Sequence, residues 1–279
     1  MISATPARAK FKQHLGQANH FLVTALVALH QLQVSDVATA PDELRTSWNP
    51  KDKAASIART RIFVTQSFLG WAVDSIDLYI SLLNRKPKII QNSSVISALD
   101  GVGRSVLKKT QVIAKEYEVS AHSHALVDVL ITWRNNVFHE LADNRIPSES
   151  QQALVDYAGF IQTHYRGLVV TNLAAKAEKG ADLTFKEASS LINATHKFVE
   201  LVDAAVLSRF DQRKFCIEVI TDALNNGSSS AFASKFLKLR ADQRHRFVRN
   251  WLSNTFGFTV VPQEIVEECS ALRRLERTG

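Results

Sequence analysis

The sequence predicts an all-α protein, and three observations carry that prediction. Apolar residues recur at spacings of three and four along most of the 279 residues, no convincing alternating run suggests a strand, and ten glycines and six prolines are few for this length. At 46% hydrophobic and 22% charged residues, the chain can bury one large or two modest cores, so disorder is not expected.

Residues 8–38 read as a first long helix, with Phe11, Leu15, Ala18, Leu22, Ala25, Leu26 and Leu29 on one face, until "TAPDEL" interrupts it. Asn49, Pro50 and Asp52 offer start signals for a second helix, which runs to about Leu83 through Ile57, Val64, Phe68, Trp71, Leu78 and Leu82. Residues 94–118 form a looser helical region broken by "DGVGR", and residues 123–142 a helix with an apolar stripe from Ala125 to Leu141. The polar loop "ADNRIPSESQ" starts the next helix near Ser148, and that helix is expected to continue to about Ala177. Thr184 and Glu187 then fit a capping box ahead of a helix of about six turns. After Phe210 the pattern changes to short helices separated by "NNGSSS" and "GFTVVPQ". Residues 1–210 are therefore expected to form one helical domain and 211–279 a helical C-terminal appendage.

Charge and composition narrow the function classes. A net charge of +7 and an isoelectric point near 9.5 favour an anionic partner, of which nucleic acid is the commonest for an intracellular chain. The longest nearly apolar stretch, Phe21 to Leu32, is too short to span a bilayer, so no membrane partner is expected. The polar residues Gln13, His14, Gln17, Asn19 and His20 after Arg8, Lys10 and Lys12 do not make a secretory signal, so a cytoplasmic location is expected. Cys216 and Cys269 lie far apart with no partner at ligand spacing, which argues for packing residues rather than a metal site or disulfide. A glycine-rich phosphate loop, a nucleophile elbow and a paired-carboxylate signature are all missing, so an NTPase, a serine hydrolase and a two-metal nuclease lack their parts. No cofactor is expected.

One stretch stands out: "TWRNNVFHE", Thr132 to Glu140, places an arginine, two asparagines and a histidine beside the apolar stripe of a helix. Buried and unpaired, such groups cost several kcal/mol, so they persist where they pair, bind or react. At about 100° per residue Asn135 and His139 share a face, and the long arm of Arg134 can bend back toward them. An imidazole can take a proton from a ribose 2′-OH or give one to a leaving 5′-oxygen, while a guanidinium holds the phosphate oxygens. That chemistry is confined to RNA and leaves a cyclic phosphate. It also wants a second histidine on the opposite side of the phosphorus, which a twofold dimer would supply.

"RNNVFH" resembles the Arg-polar-x-x-x-His signature of the HEPN superfamily, over a region of about residues 8–208. The resemblance implies an all-α, HEPN-like helical bundle, a metal-independent endoribonuclease of a bacterial defence, abortive-infection or toxin type, and an active site built across a homodimer. It assigns Arg134 and His139 as the catalytic pair and Asn135 as the polar position, and it implies an antitoxin or other regulatory partner. The chain departs from the pattern at Leu141, where toxins paired with a nucleotidyltransferase antitoxin carry a modified tyrosine. Nothing in 211–279 resembles a known family. The alternative from another class is a non-catalytic helical module that binds RNA, nucleotide or a protein. In the blandest case Arg134 pairs with an acid such as Asp128 or Glu140, Asn135 caps a neighbouring helix and His139 is a satisfied core histidine.

Other candidates follow from spacing. Asp74 and Asp77, one turn apart on the second helix, are placed to orient His139 or position Arg134, or else form a solvated face. In "AHSH", His122 and His124 lack a third ligand, and a helix start explains them better than a metal. Lys235, Lys238, Arg240, Arg244, Arg246 and Arg249, with His245 and Trp251 interleaved, suit a phosphate-tracking surface or the basic side of an amphipathic helix.

Overall fold

The computed structural model describes residues 4–35, 40, 43, 45, 47–139, 143–225 and 230–273, with Ser230 placed by its backbone alone. Among these residues the regular elements are helical and none is a strand, so the chain is all-α. In chain order the helices are α1 (Pro6–Leu15), α2 (Ala18–Val34), α3 (Lys53–Asn84), α4 (Ser93–Gly101), α5 (Val106–Glu116), α6 (Ala121–Phe138) and α7 (Ser148–Asp156). They continue with α8 (Ala158–His164), α9 (Val170–Lys179), α10 (Phe185–Ser208), α11 (Gln212–Asn225), α12 (Ser230–Lys238), α13 (Ala241–Phe256) and α14 (Gln263–Ala271). None of them is long and apolar enough to cross a membrane.

Local chemistry sets several of the starts. Side chains of Thr5, Asp52, Asn92 and Ser105 each accept a backbone N–H from the first turn of α1, α3, α4 and α5. The expected capping box at α10 is formed: Thr184 Oγ1 accepts from the Glu187 N–H, and the Glu187 carboxylate accepts from the Thr184 N–H at 2.7 Å.

Two long helices expected from periodicity are broken. The stretch 8–38 is two helices with Gly16 and Gln17 between them. A Cβ on Gly16 would lie 2.3 Å from the Lys12 carbonyl oxygen, an approach only glycine permits. Of the expected face, Ala18 and Leu22 are buried in α2. The stretch from Ser148 to Ala177 is three helices, because Tyr157 turns the chain once and the left-handed pair Arg166 (φ 56°) and Gly167 (φ 70°) turns it again.

Helix α6 is the axis of the fold. It packs against α3, α5, α7, α9 and α10, and from Ala125 to Trp133 its side chains are buried all round. Trp133, fully buried, satisfies its indole N–H on the Ala181 carbonyl at 2.8 Å. A second polar node joins α1, α3 and α10: Asp203, with no exposure, accepts from Thr5 N–H and Oγ1 and from the Tyr79 hydroxyl. Burial, followed by the Asp203 carboxylate, pushes the Tyr79 hydroxyl well above its ordinary range and keeps it a donor.

The last four helices pack mainly on one another, α11 against α12 and α14, and α13 against α14. Rings of Phe210, Phe215, Phe256 and Phe258 cluster between them. Cys216 and Cys269 are free and buried here, and burial pushes both thiols up to about 12. The native protein is accordingly expected to leave Ellman's reagent unreacted at pH 8, with both thiols titrating once guanidinium unfolds the chain. Fast reaction of either thiol in the native state would contradict this packing.

Candidate active site at the end of helix α6

The polar stretch of α6 lies where the helix leaves the core. Burial ends at Trp133, and Arg134 to Val137 are half-buried while Phe138 and His139 are exposed. The helix does not reach residue 142 as expected: it closes at Phe138, and His139 leaves it in extended conformation (φ −124°, ψ 102°) while its N–H still bonds the Asn135 carbonyl at 3.1 Å. Asn135 and His139 are thus joined through backbone. Among the described residues the His139 imidazole has no hydrogen-bond partner. Glu140 and Leu141 lie outside the described residues.

Helix α3 supplies the support. Arg134 Nη2 meets Asp74 Oδ1 at 3.3 Å, and Arg134 Nη1 donates to Asn135 Oδ1 at 3.2 Å. One turn further along α6, the Phe138 ring covers Gly70, where a Cβ would come within 3.2 Å of the ring. The pairs 134 with 74 and 138 with 70 show α6 and α3 running antiparallel here. Arg134 and Asp74 are 27% and 64% exposed, so the ion pair is worth at most about 1 kcal/mol. A phosphate can therefore displace Asp74 from the guanidinium at little cost.

The two expected acids part company. Asp74 reaches Arg134, whereas Asp77 is taken by Lys109 at 2.6 Å and belongs to the α3–α5 contact. Neither is hydrogen-bonded to His139 among the described residues. The remaining asparagine, Asn136, was not singled out by the sequence reasoning, and it has structural work. Its Nδ2 donates to the carbonyls of Asn144, Ala177 and Glu178 at 3.0–3.2 Å, and its Oδ1 accepts from Asn144 N–H at 2.9 Å. It thereby ties the end of α9 and the segment after the motif to α6. The sequence signal was weak, since two neighbouring asparagines look alike until their faces are known.

Gly180 caps α9 in left-handed conformation (φ 59°), and a Cβ there would meet the Asn136 carbonyl group at 3.2 Å. Gly180→Ala is expected to lower unfolding free energy by about 2 kcal/mol, from the φ penalty plus displacement of Asn136. Urea denaturation checks this, and an unchanged midpoint would contradict it.

The other candidates have internal partners. His122 packs at a tilt against Phe160 and Tyr157, whereas His124 faces Asp128 at 3.3 Å, so "AHSH" directs its rings to different places. Among the described residues no group of three metal-binding side chains is close enough to hold an ion. In the basic stretch, Arg244 donates to the carbonyls of Phe236, Leu237 and Leu239 and caps α12, and Arg249 bonds Gln263 at 2.7 Å. Lys235 lies over the Phe247 ring. Trp251 packs on Phe232 with ring centres 4.5 Å apart. Lys238, Arg240 and Arg246 stand exposed.

No known protein family, curated protein or solved structure matches the chain.

Proposed function

We propose that the protein is a metal-independent endoribonuclease, working as a homodimer through Arg134, Asn135 and His139, in keeping with the resemblance of "RNNVFH" to the HEPN signature. The observation that carries the reading is the exposed His139 just past the end of α6, with Arg134, five residues earlier on that helix, held by weak partners. Of the bland assignment, the pairing of Arg134 with an acid of its own chain is present, on Asp74, and Glu140 lies outside the described residues; the rest differs. Asp128 is occupied by Ser150 and His124 rather than Arg134, Asn135 bonds Arg134 rather than a neighbouring helix, and His139 is not in the core.

In the proposed reaction His139 removes the proton of a ribose 2′-OH, and the oxygen attacks the adjoining phosphorus. The bond to the 5′-oxygen breaks, and that oxygen takes a proton from His139 of the second chain, leaving a 2′,3′-cyclic phosphate and a 5′-hydroxyl. Arg134 leaves Asp74 to neutralise the phosphate oxygens, and Asn135 orients the guanidinium. Exposed rings on α6 and α3 suit a twofold interface: Phe138 is 51% exposed within the motif, and Phe63 is 68% exposed, seven residues before Gly70 on α3. The net charge of +7 favours an RNA substrate.

Light scattering together with an RNA assay in excess EDTA tests this reading. Wild type is expected to have the mass of a dimer and to cut, and Phe138→Glu to be a monomer that does not. An active monomer would overturn the shared site. A non-catalytic RNA- or nucleotide-binding module is the second reading, favoured by the pairing of Arg134 with Asp74 inside one chain; it predicts binding without cleavage. A role in defence or growth arrest, with an antitoxin or other regulator and a cytoplasmic location, follows from the resemblance alone.

A further inference from the structure

The last four helices carry a surface that the proposed ribonuclease does not use. α12 and α13 are joined by Leu239 and Arg240 alone, and Arg244 fixes this turn by donating to the carbonyls of Phe236, Leu237 and Leu239. Rings of Phe232 and Phe236 pack on Phe247 and Trp251, and Val248 and Leu252 are buried. α14 packs against α13 and is tied to it by the bond between Arg249 and Gln263. The inner face of α13 is thereby held, and its outer face is left to solvent.

That outer face has a particular composition. At about 100° per residue, Gln243, Arg246, Asn250 and Asn254 fall within about 80° of one another and opposite Val248 and Leu252. All four are exposed. Among the described residues Arg246, Asn250 and Asn254 have no hydrogen-bond or ionic partner, and Gln243 uses its Oε1 on the Arg240 N–H. Guanidinium and carboxamide groups are the side chains that bond base edges in pairs, Arg to guanine and Asn or Gln to adenine. A helix face serving solubility alone would carry Lys and Glu, and α13 has neither.

Charge on this unit favours a polyanion. Residues 230–256 hold six Lys and Arg residues against one acid, Asp242, in the first turn of α13. Lys235, Lys238 and Arg240 stand exposed at the end of α12 and in the turn. On α14, which borders the face at Arg249, Glu267 accepts from Gln263 at 2.8 Å, Glu268 is held by Arg213, and Glu264 is exposed. Those acids bound the surface on that edge and leave the α12 side basic. An α-helix about 10–12 Å across fits the major groove of B-form DNA, about 12 Å wide, whereas the major groove of an RNA duplex is too narrow for it. A single strand would want free rings to stack on, and here Phe232, Phe236 and Trp251 are engaged with one another.

From this juxtaposition, a solvent face of Arg, Asn and Gln on α13 beside a basic turn from α12, we infer that the C-terminal helices bind duplex DNA with α13 seated in the major groove. Gln243, Arg246 and Asn250 meet base edges, while Lys235, Lys238 and Arg240 meet phosphates. Two helices joined by a short turn, the second in the groove and the first against the backbone, are a general solution to this task. The face runs about 16 Å from Gln243 to Asn254, enough for about five base pairs. The inference stands apart from the ribonuclease reading, since it involves no residue of the motif.

Selection from a pool of random-sequence DNA duplexes, followed by fluorescence anisotropy on the full chain, tests it. The pool is expected to yield a preferred sequence. The duplex carrying it is expected to bind at least about tenfold more tightly than the same sequence as an RNA duplex or a single RNA strand. The RNA measurements use the full chain with His139→Ala, so that they do not depend on whether the motif cuts RNA. Arg246→Ala and Asn250→Ala are each expected to weaken the selected duplex about tenfold and to spare a scrambled one. Lys238→Ala is expected to weaken both duplexes alike and to flatten the salt dependence by about one power. All three positions are exposed on helices that alanine favours, so the fold is expected to persist. A pool without enrichment, RNA bound as tightly as DNA, or a sequence preference that survives both Arg246→Ala and Asn250→Ala would overturn the proposal.

Discussion

His139→Ala is expected to reduce RNA cleavage by about a thousandfold or more without changing the melting temperature. The size follows from what a general acid or base contributes, on the order of a hundred to ten thousandfold, and a dimer loses the residue twice. The unchanged stability follows from position: His139 is exposed, its imidazole has no partner among the described residues, and its helix-closing contact is made by its backbone, which alanine keeps. Arg134→Ala is expected to fall as far in activity, because the phosphate loses its only cation from this motif. Arg134→Lys recovers little, since a point charge cannot reproduce the planar fork. Loss of activity accompanied by loss of folding in His139→Ala would place the residue in the fold rather than in the chemistry.

The largest expected effect on stability lies far from that motif. Asp203→Ala leaves the Tyr79 hydroxyl and the Thr5 N–H and hydroxyl without their acceptor at a site with no exposure. A loss of about 3 kcal/mol is expected, or about 5 °C in melting temperature for a chain of this length, and it is expected to free α1 from α10 first. Tyr79→Phe removes one donor and keeps the acceptor, so its cost is expected to be about a third of that. Scanning calorimetry of the two variants checks the ratio, and equal costs would show that Asp203 is not the hub.

How far the sequence could lead differs from element to element. α3 and α10 were legible at both ends, because Asp52 and the Thr184–Glu187 box announce their starts and long periodic faces carry them. The breaks were not: periodicity continues in phase across Gly16, and across Arg166 and Gly167, where the backbone turns for reasons of φ that an apolar count does not register. In the candidate site, Arg134, Asn135 and the contact from Asp74 could be anticipated from helix geometry. The separation of Asp77 could not, because it depends on Lys109 arriving from α5. The buried Ser150–Asp128 contact was missed for the same kind of reason, since Ser150 reaches Asp128 only through the packing of α7 on α6. One signal was available: Ser120, His124, Asp128 and Thr132 form a polar row at spacing four through an otherwise apolar helix.

The most direct test of the ribonuclease account is the end chemistry of the products. Mixed RNA incubated with purified wild-type protein in excess EDTA, then mapped for termini, is expected to show 2′,3′-cyclic phosphates and 5′-hydroxyls, absent with His139→Ala. Intact RNA with both proteins, or fragments ending in 3′-hydroxyls and 5′-phosphates, would contradict it.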